Sequence, residues 1–279
     1  MKLTVLLDNN TIIDRFFYGE PGVSYFIQDG DKKILFDVGY SDAFIINAQK
    51  MNIRLWDVDF VILSHGHLDH TWGLTSLIKL YTEVSVEKIK CSKPTILTHP
   101  FTFFSKKIKG IREIGSVVSE EKLSKHFNVK LSKEPVWLTD KLVFLGEIER
   151  KNEFEAKKPL GKIIKNNSEE DDYLMDDSAL AYISSEGLVI ITGCAHAGIC
   201  NTVEYAKKIC GNERITDIVG GFHLLNPSKE QLQGTLEYMK NLQPHEVHAC
   251  HCTDLKSKIE LSKVADIKEV GVGLKIEYK

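Results

Sequence analysis

The heptapeptide Ser64-His65-Gly66-His67-Leu68-Asp69-His70 constrains this 279-residue chain more than any other feature. Three imidazoles and a carboxylate fall within six positions, directly after the run Asp59-Phe60-Val61-Ile62-Leu63. That run is too short and too branched for a helix and reads as a buried strand. Beyond the motif, Leu74, Leu77, Ile78 and Leu80 recur at the spacing of an amphipathic helix. In an extended link, side chains two apart point the same way, so His65 and His67 can share one metal ion. Asp69 and His70 turn away at the helix start, where they can bind a second ion beside the first. Imidazole and carboxylate suit zinc, with iron, manganese, nickel and cobalt also compatible. Ten histidines scattered over the chain rarely produce such a window, so helix capping or chance placement is the weaker account.

Later segments add candidates. Gly193-Cys194-Ala195-His196 follows the apolar strand Leu188 to Thr192, and a strand-end imidazole among small residues is placed to complete the site of His65 and His67. Gly220-Gly221-Phe222-His223-Leu224 also ends a strand; its glycines allow close approach to a ligand, and His223 could donate a proton or bind phosphate as readily as pack in a turn. Cys250-His251-Cys252 follows another strand. A closed zinc site built from Cys194, Cys250, Cys252 and a histidine is the rival reading, weakened by the absence of paired Cys-x2-4-Cys knuckles. Glu147 and Arg150 could orient a substrate, but an ion pair between them is the simpler expectation. His99 could border the site, Trp72 is expected beneath the ligand loop, and His126, His245 and His248 read as surface or core residues.

The order of the motifs resembles the metallo-β-lactamase superfamily, whose HxHxDH signature follows a strand in this way. Asp8-Asn9-Asn10, Ile34-Leu35-Phe36-Asp37, SHGHLDH, Gly146-Glu147-Ile148-Glu149-Arg150, Asp176-Asp177-Ser178-Ala179-Leu180, GCAHAGICNT, GGFHL and Cys250-His251-Cys252-Thr253 resemble one branch in that order. That branch is the dihydropterin ribofuranosylaminobenzene phosphate synthase-like family, also called dihydropteroate-synthase-like. The resemblance implies an α/β fold, the αββα sandwich, with metals at one edge. It implies that Asp37 supports the ligand loop from behind and that His251 joins Asp69 and His70 at the second metal. The superfamily often bridges its two metals with an aspartate where this chain has Cys194, so Cys194, Asp177 or water alone remain alternative bridges.

Composition fits an ordinary globular chain: 43% hydrophobic residues are enough for a large core, and a net charge of -3 gives no general pull toward nucleic acid or anionic membrane. No apolar run is long enough to span a bilayer, and Met1 to Asn10 turns polar too soon for a signal peptide, so a cytoplasmic protein with reduced cysteines is expected. The charge is uneven. Residues 81 to 135 carry eleven Lys/Arg against six Asp/Glu and hold Phe101, Phe103 and Phe104, whereas Asn166 to Asp177 is acidic. Both runs read first as solvated surface. We therefore expect one domain over 1–279 with a variable cap inserted at 83–175, whose cations and rings suit an anionic aromatic substrate.

Two such metals, holding six residues (His65, His67, Asp69, His70, His196 and His251), would acidify a water and polarise a phosphoryl or carbonyl oxygen, with Asp69 as orienting base and His223 as acid. The expected activity is hydrolysis of a phosphorylated small molecule, or the transferase chemistry that the branch resemblance implies. A metal-binding or redox-sensing protein with little turnover is the alternative.

Overall fold

The computed structural model of the chain describes residues 1–165 and 168–279, so Asn166 and Asn167, which open the acidic run, lie outside the described residues. The alternating apolar N-terminal segments form antiparallel strands β1 (Lys2–Leu7), β2 (Ser24–Asp29) and β3 (Lys32–Phe36). Helices α1 (Ala43–Lys50), α2 (Leu68–Thr71) and α3 (Leu74–Val86) then alternate with β4 (Phe60–Ile62) and β5 (Thr95–Thr98). Strands β3, β4 and β5 pair in parallel, which demands crossovers, and α1 and α3 supply them.

The middle of the chain contributes β6 (Lys106–Lys107), α4 (Glu120–Leu123), β7 (Asn128–Leu131), β8 (Val136–Trp137), β9 (Leu142–Phe144), β10 (Gly161–Lys165) and β11 (Ser168–Asp172). The hairpin β12 (Ala179–Ser184) and β13 (Gly187–Thr192) leads into α5 (Ile199–Cys210), β14 (Ile215–Gly221), α6 (Lys229–Leu242), β15 (Glu246–Cys250), α7 (Leu255–Leu261) and β16 (Lys275–Glu277). One sheet has the order β16-β1-β2-β3-β4-β5-β7 and the other β15-β14-β13-β12-β9-β8.

Three apolar layers make this an αββα sandwich. Between the sheets, Tyr25, Ile34, Phe36 and Ile62 meet Phe144, Tyr182, Val189 and Ile191. Outside the first sheet, Leu35, Val61 and Ile96 pack under Phe44 of α1 and Leu77 of α3. Outside the second, Leu188, Ile190 and Ile218 pack under Val203 of α5 and Met239 of α6. Strands buried on both faces need unbroken apolar runs, which is why β4 and β13 read as continuous hydrophobic stretches. Each fully buried large aliphatic side chain contributes about 1.5–3 kcal/mol.

The segment 83–175 is not a single inserted cap. Its strands β5 and β7 belong to the first sheet and β8 and β9 to the second. What stands outside the sandwich is two excursions, 99–127 and 145–178, joined by a small sheet of order β11-β10-β6. Nor are the charge runs wholly solvated: Lys106, Asp172, Asp176 and Asp177 are all buried. Helix α5 starts at Ile199, where Glu155 from the second excursion accepts the amides of Cys200 and Asn201. The ends of β4, β13, β14 and β15 gather at one rim of the sandwich. No helix among the described residues is long and apolar enough to cross a membrane.

Candidate metal centre

The ligand loop leaves β4 and is fixed from behind by Asp37. Its Oδ1 accepts the Ser64 amide at 2.7 Å, and its Oδ2 accepts the Ser64 hydroxyl at 2.7 Å and lies 2.7 Å from His70 Nδ1. Since Ser64 gives its proton to Asp37, its oxygen must accept from His65 Nδ1, 2.9 Å away. His65 Nε2 is thereby left with its lone pair. The same logic holds at His251, whose Nδ1 meets the Asn9 side-chain oxygen at 3.0 Å. Outer partners thus aim ring nitrogens at a common interior. Two glycines make the packing feasible: a Cβ on Gly66 would fall 2.2 Å from the Thr102 carbonyl oxygen, and one on Gly193 would fall 2.2 Å from Ser64 Oγ.

Two groups of donors converge there. In one, ligand atoms of His65, Cys194 and His196 lie within 4.8 Å of one another, with the His67 ring 4.7 Å from that of His65 and 4.8 Å from that of His196. In the other, Cys194 Sγ is 3.2 Å from Nε2 of both His70 and His251. Asp69 Oδ2 lies 3.7 Å and 3.4 Å from those same nitrogens. The six residues expected to hold metal therefore surround one spot, with Cys194 between the two groups.

The donor set fits divalent ions. Nε2 of His65 and of His196 is buried without a hydrogen-bond partner, a cost of about 1–3 kcal/mol each that a bound cation removes. Burial holds His65 and His196 well below the ordinary imidazole range, and burial together with Lys106 lowers His67 to about 3. All three are therefore neutral, the ligating form. At His70 burial opposes a charge, but Asp69 and Asp37 outweigh it and raise the ring to about 9. That position favours a positive charge at Nε2, carried by a proton or by a metal ion.

His223 does not join either group. Its ring lies 4.1 Å from that of His196, its Nδ1 is buried and unpartnered, and its amide meets Cys252 Sγ at 3.2 Å. Together with His196 it floors a cavity of about 410 Å³ walled by Phe154, Lys157, Lys158, Tyr173 and Gln231. The lysines at this cavity come from the second excursion and not from the basic stretch 81 to 135. In that stretch Lys133 stacks 4.9 Å over Phe101, and Lys165 covers the same ring at 4.2 Å.

Several expectations need correction. Glu147 does not pair with Arg150: it meets Lys133 at 2.9 Å and His99 at 3.0 Å, whereas Arg150 donates to the carbonyls of Tyr173 and Leu174. His99 uses both ring nitrogens, on Glu147 and on the Phe101 amide, so it shapes the excursion and has no atom left for a ligand. Asp177 stands behind His65, 4.0 Å from its Nδ1, and accepts the Ala197 amide; burial raises it to about 7 against that amide and Arg150. Cys252 does lie beside Cys194, its Sγ 3.5 Å from the Cys194 carbonyl oxygen, but no group of convergent ligand atoms among the described residues includes it, and Cys250 instead contacts the Tyr25 hydroxyl at 3.3 Å. Trp72 is half-buried, stacks on Tyr40 and donates to the Gly115 carbonyl. His248, expected at the surface or in the core, is buried and pairs with Asp217 away from the centre.

Sequence reasoning missed Asn9, Ser64, Lys106 and Asp176. Asp176 accepts the Gly66 amide at 2.8 Å with one oxygen and Lys106 Nζ at 2.8 Å with the other, so a lysine and an aspartate seventy residues apart clamp the loop. Ser64 opens the ligand heptapeptide, and Asn9 and Asp176 lie in the Asp8-Asn9-Asn10 and Asp176-Asp177 motifs, but no motif marked Lys106.

Comparisons with known proteins agree with this architecture. Residues 18–111 match the family described as the metallo-beta-lactamase superfamily. The chain is 31% identical over 272 residues to the 7,8-dihydropterin-6-methyl-4-(beta-D-ribofuranosyl)-aminobenzene-5'-phosphate synthase of Methanocaldococcus jannaschii, covering 92% of this chain and 89% of that protein. It is also similar to Tm1679, described as a metal-dependent hydrolase of the beta-lactamase superfamily, with a TM-score of 0.83 and 28% identity over 99% of this chain and 98% of that one. The fold alone is shared with YhfI of Bacillus subtilis, at a TM-score of 0.58 and 13% identity, with 99% of both chains covered. With the αββα layers, the rim of histidines and a relative matched along nearly its whole length, the chain belongs to the metallo-β-lactamase superfamily, in the branch of the dihydropterin ribofuranosylaminobenzene phosphate synthase.

Proposed function

We propose that the chain is a two-ion enzyme acting on a phosphate- or pyrophosphate-bearing small aromatic molecule, and that its reaction is the group transfer named for its methanogen relative. The observation that carries the reading is the convergence of His65, His67, His196, Asp69, His70 and His251 on Cys194, beside a cavity bordered by Lys157 and Lys158. His65, His67 and His196 would hold one ion, and Asp69, His70 and His251 the other, with zinc the first choice. Such ions supply Lewis acidity, which offsets charge developing on phosphoryl oxygens and yields an acidified water where water is the acceptor.

The chain's own residues do the rest. Asp69, held beside His70 and His251, carries a carboxylate that can take a proton from an attacking group. His223, which borders the cavity, can return a proton to a departing oxygen. Lys157 and Lys158 would attract the anionic tail, and Phe154 and Tyr173 give the cavity aromatic walls for a ring. In the transfer reaction the amine nitrogen of the acceptor would form the new carbon–nitrogen bond to the dihydropterin methylene carbon, whose bond to oxygen breaks to release pyrophosphate, while the nitrogen gives up one proton, for which Asp69 is the nearest base.

Hydrolysis is the second reading, favoured by the likeness to Tm1679. One assay separates the two. Purified, metal-loaded protein is given a dihydropterin pyrophosphate with and without an aminobenzene ribofuranosyl phosphate, and pyrophosphate is measured. Release that requires the aromatic partner supports transfer. Equal release without it makes water the acceptor, and inertness toward both substrates and toward phosphodiesters removes the proposal.

A further inference from the structure

We propose that the thiolate of Cys194 bridges the two ions, making this a sulfur-bridged pair; the inference rests on the two-ion reading above. Cys194 is the member common to both donor groups: its sulfur lies 3.2 Å from His70 Nε2 and from His251 Nε2, and within 4.8 Å of the ligand atoms of His65 and His196. The residue is buried. Its thiol has one proton, yet the nitrogens around it include the lone pairs of His65 and His251 and the unpartnered Nε2 of His196. One S–H proton can satisfy one of these. Only cations between sulfur and nitrogen satisfy them all.

No nearby carboxylate competes for the bridge. Asp37 is consumed by Ser64 and His70, Asp176 by Lys106 and the Gly66 amide, and Asp177 faces the far side of His65. Asp69 is on the side of His70 and His251. Between Cys194 and His196 the backbone turns, with Ala195 at φ +55°, and both side chains reach the same interior. Loading would proceed as one thiol and two divalent ions giving one doubly coordinated thiolate and one released proton. A thiolate beside imidazoles favours zinc, cobalt(II) and iron(II) over manganese and magnesium.

Cobalt(II) reports on this directly, because a cobalt–thiolate bond gives a near-ultraviolet charge-transfer band. The full-length protein, freed of metal, is titrated with cobalt(II) while bound metal and absorbance are followed, alongside Cys194→Ser, Cys194→Asp and Cys252→Ser. The expected result is two ions per chain and a band that grows with both the first and the second equivalent. Cys194→Ser and Cys194→Asp then lack the band, Cys252→Ser keeps it, and Cys194→Asp still takes up two ions, which shows that the site remains folded. Cys194→Ser should weaken the second ion by more than the roughly 10–100-fold typical of losing an outer partner. Two ions without a band, a band complete at one equivalent, or a band lost in Cys252→Ser overturns the bridge while leaving the two-ion reading intact. One ion per chain in the unaltered protein removes that reading itself, and the bridge with it.

Discussion

At the scale of single residues, the centre depends on groups that never touch a metal. Asn9 is exposed and contributes little packing, but its side-chain oxygen fixes the proton of His251 on Nδ1 and so keeps Nε2 available. Asn9→Ala should weaken the ion held by His251 about 10–100-fold, because the ring is then free to rotate or change tautomer. Stability of the metal-free protein should move by less than about 0.5 kcal/mol, as for ordinary surface changes. Calorimetric zinc titration and urea unfolding check the two halves separately, and Asn9→Asp, which keeps the acceptor, should recover most of the affinity. An unchanged zinc isotherm for Asn9→Ala would show that the tautomer is set elsewhere. The contrast also shows what a sequence can reveal. His65, His67, Asp69 and His70 were legible because contiguous spacing on a strand-to-helix link decides where they point. The partner of His251 lies 242 positions away and becomes a partner only when β1 and β15 end at one rim.

At the scale of elements, the two excursions are fastened to the ligand loop by one buried cation. Lys106 is wholly buried at β6 and bonds Asp176 at 2.8 Å and Asp172 at 3.2 Å, while Asp176 holds the Gly66 amide. Removing one partner of a buried pair leaves a charge without compensation, so Lys106→Met should cost about 3–5 kcal/mol at neutral pH. The sign of the pH dependence follows from the shifts. Burial opposes both charges, but each partner outweighs it: the carboxyl of Asp176 is held below its ordinary value and the ammonium of Lys106 above its own. The pair therefore stabilises the fold between about pH 4 and pH 10, and loses that contribution as Asp176 protonates below or Lys106 deprotonates above. In Lys106→Met the Asp176 carboxylate loses the charge that favours its ionised form and protonates more readily, so the penalty should shrink between pH 7.5 and pH 4.5. Urea unfolding of the chelated proteins at both pH values measures it, and an equal penalty at the two would refute the account. Glu155 offers a milder test. It accepts the first amides of α5, where Gly198 supplies no side chain, and Glu155→Ala should cost about 1 kcal/mol. Neither connection was readable beforehand. Unbroken apolar runs such as those of β1, β4 and β13 announce themselves by their own burial, but β6 and β8 are two residues long and exist only through the strands they pair with.

At the scale of the whole molecule, the candidate ligands are divided between the sheets. His65, His67, Asp69 and His70 hang from the first sheet through β4, and Cys194, His196 and His251 from the second through β13 and β15. The layered core was legible in the sequence because each layer is built from continuous hydrophobic strands and amphipathic helices. The division of 83–175 between both sheets was not, since its strands are short and flanked by charge. Ions bound at the rim would join the two sheets where no apolar layer does so, and their effect on stability follows from mass action. Free metal at a hundredfold over the dissociation constant adds about 2.7 kcal/mol for one site. With roughly 2–4 °C per kcal/mol for chains of about this size, chelation should lower Tm by about 5–10 °C. The inter-sheet core around Tyr25, Phe36, Phe144 and Ile191 does not depend on the ions, so the near-ultraviolet circular dichroism of the aromatic side chains should survive chelation. Hydrogen exchange should quicken at 64–70, 193–198 and 250–253 while β1, β2 and β3 stay protected. Collapse of the aromatic signal together with exchange throughout both sheets would instead make the ions a condition of folding, and the rim would have to be counted as part of the core.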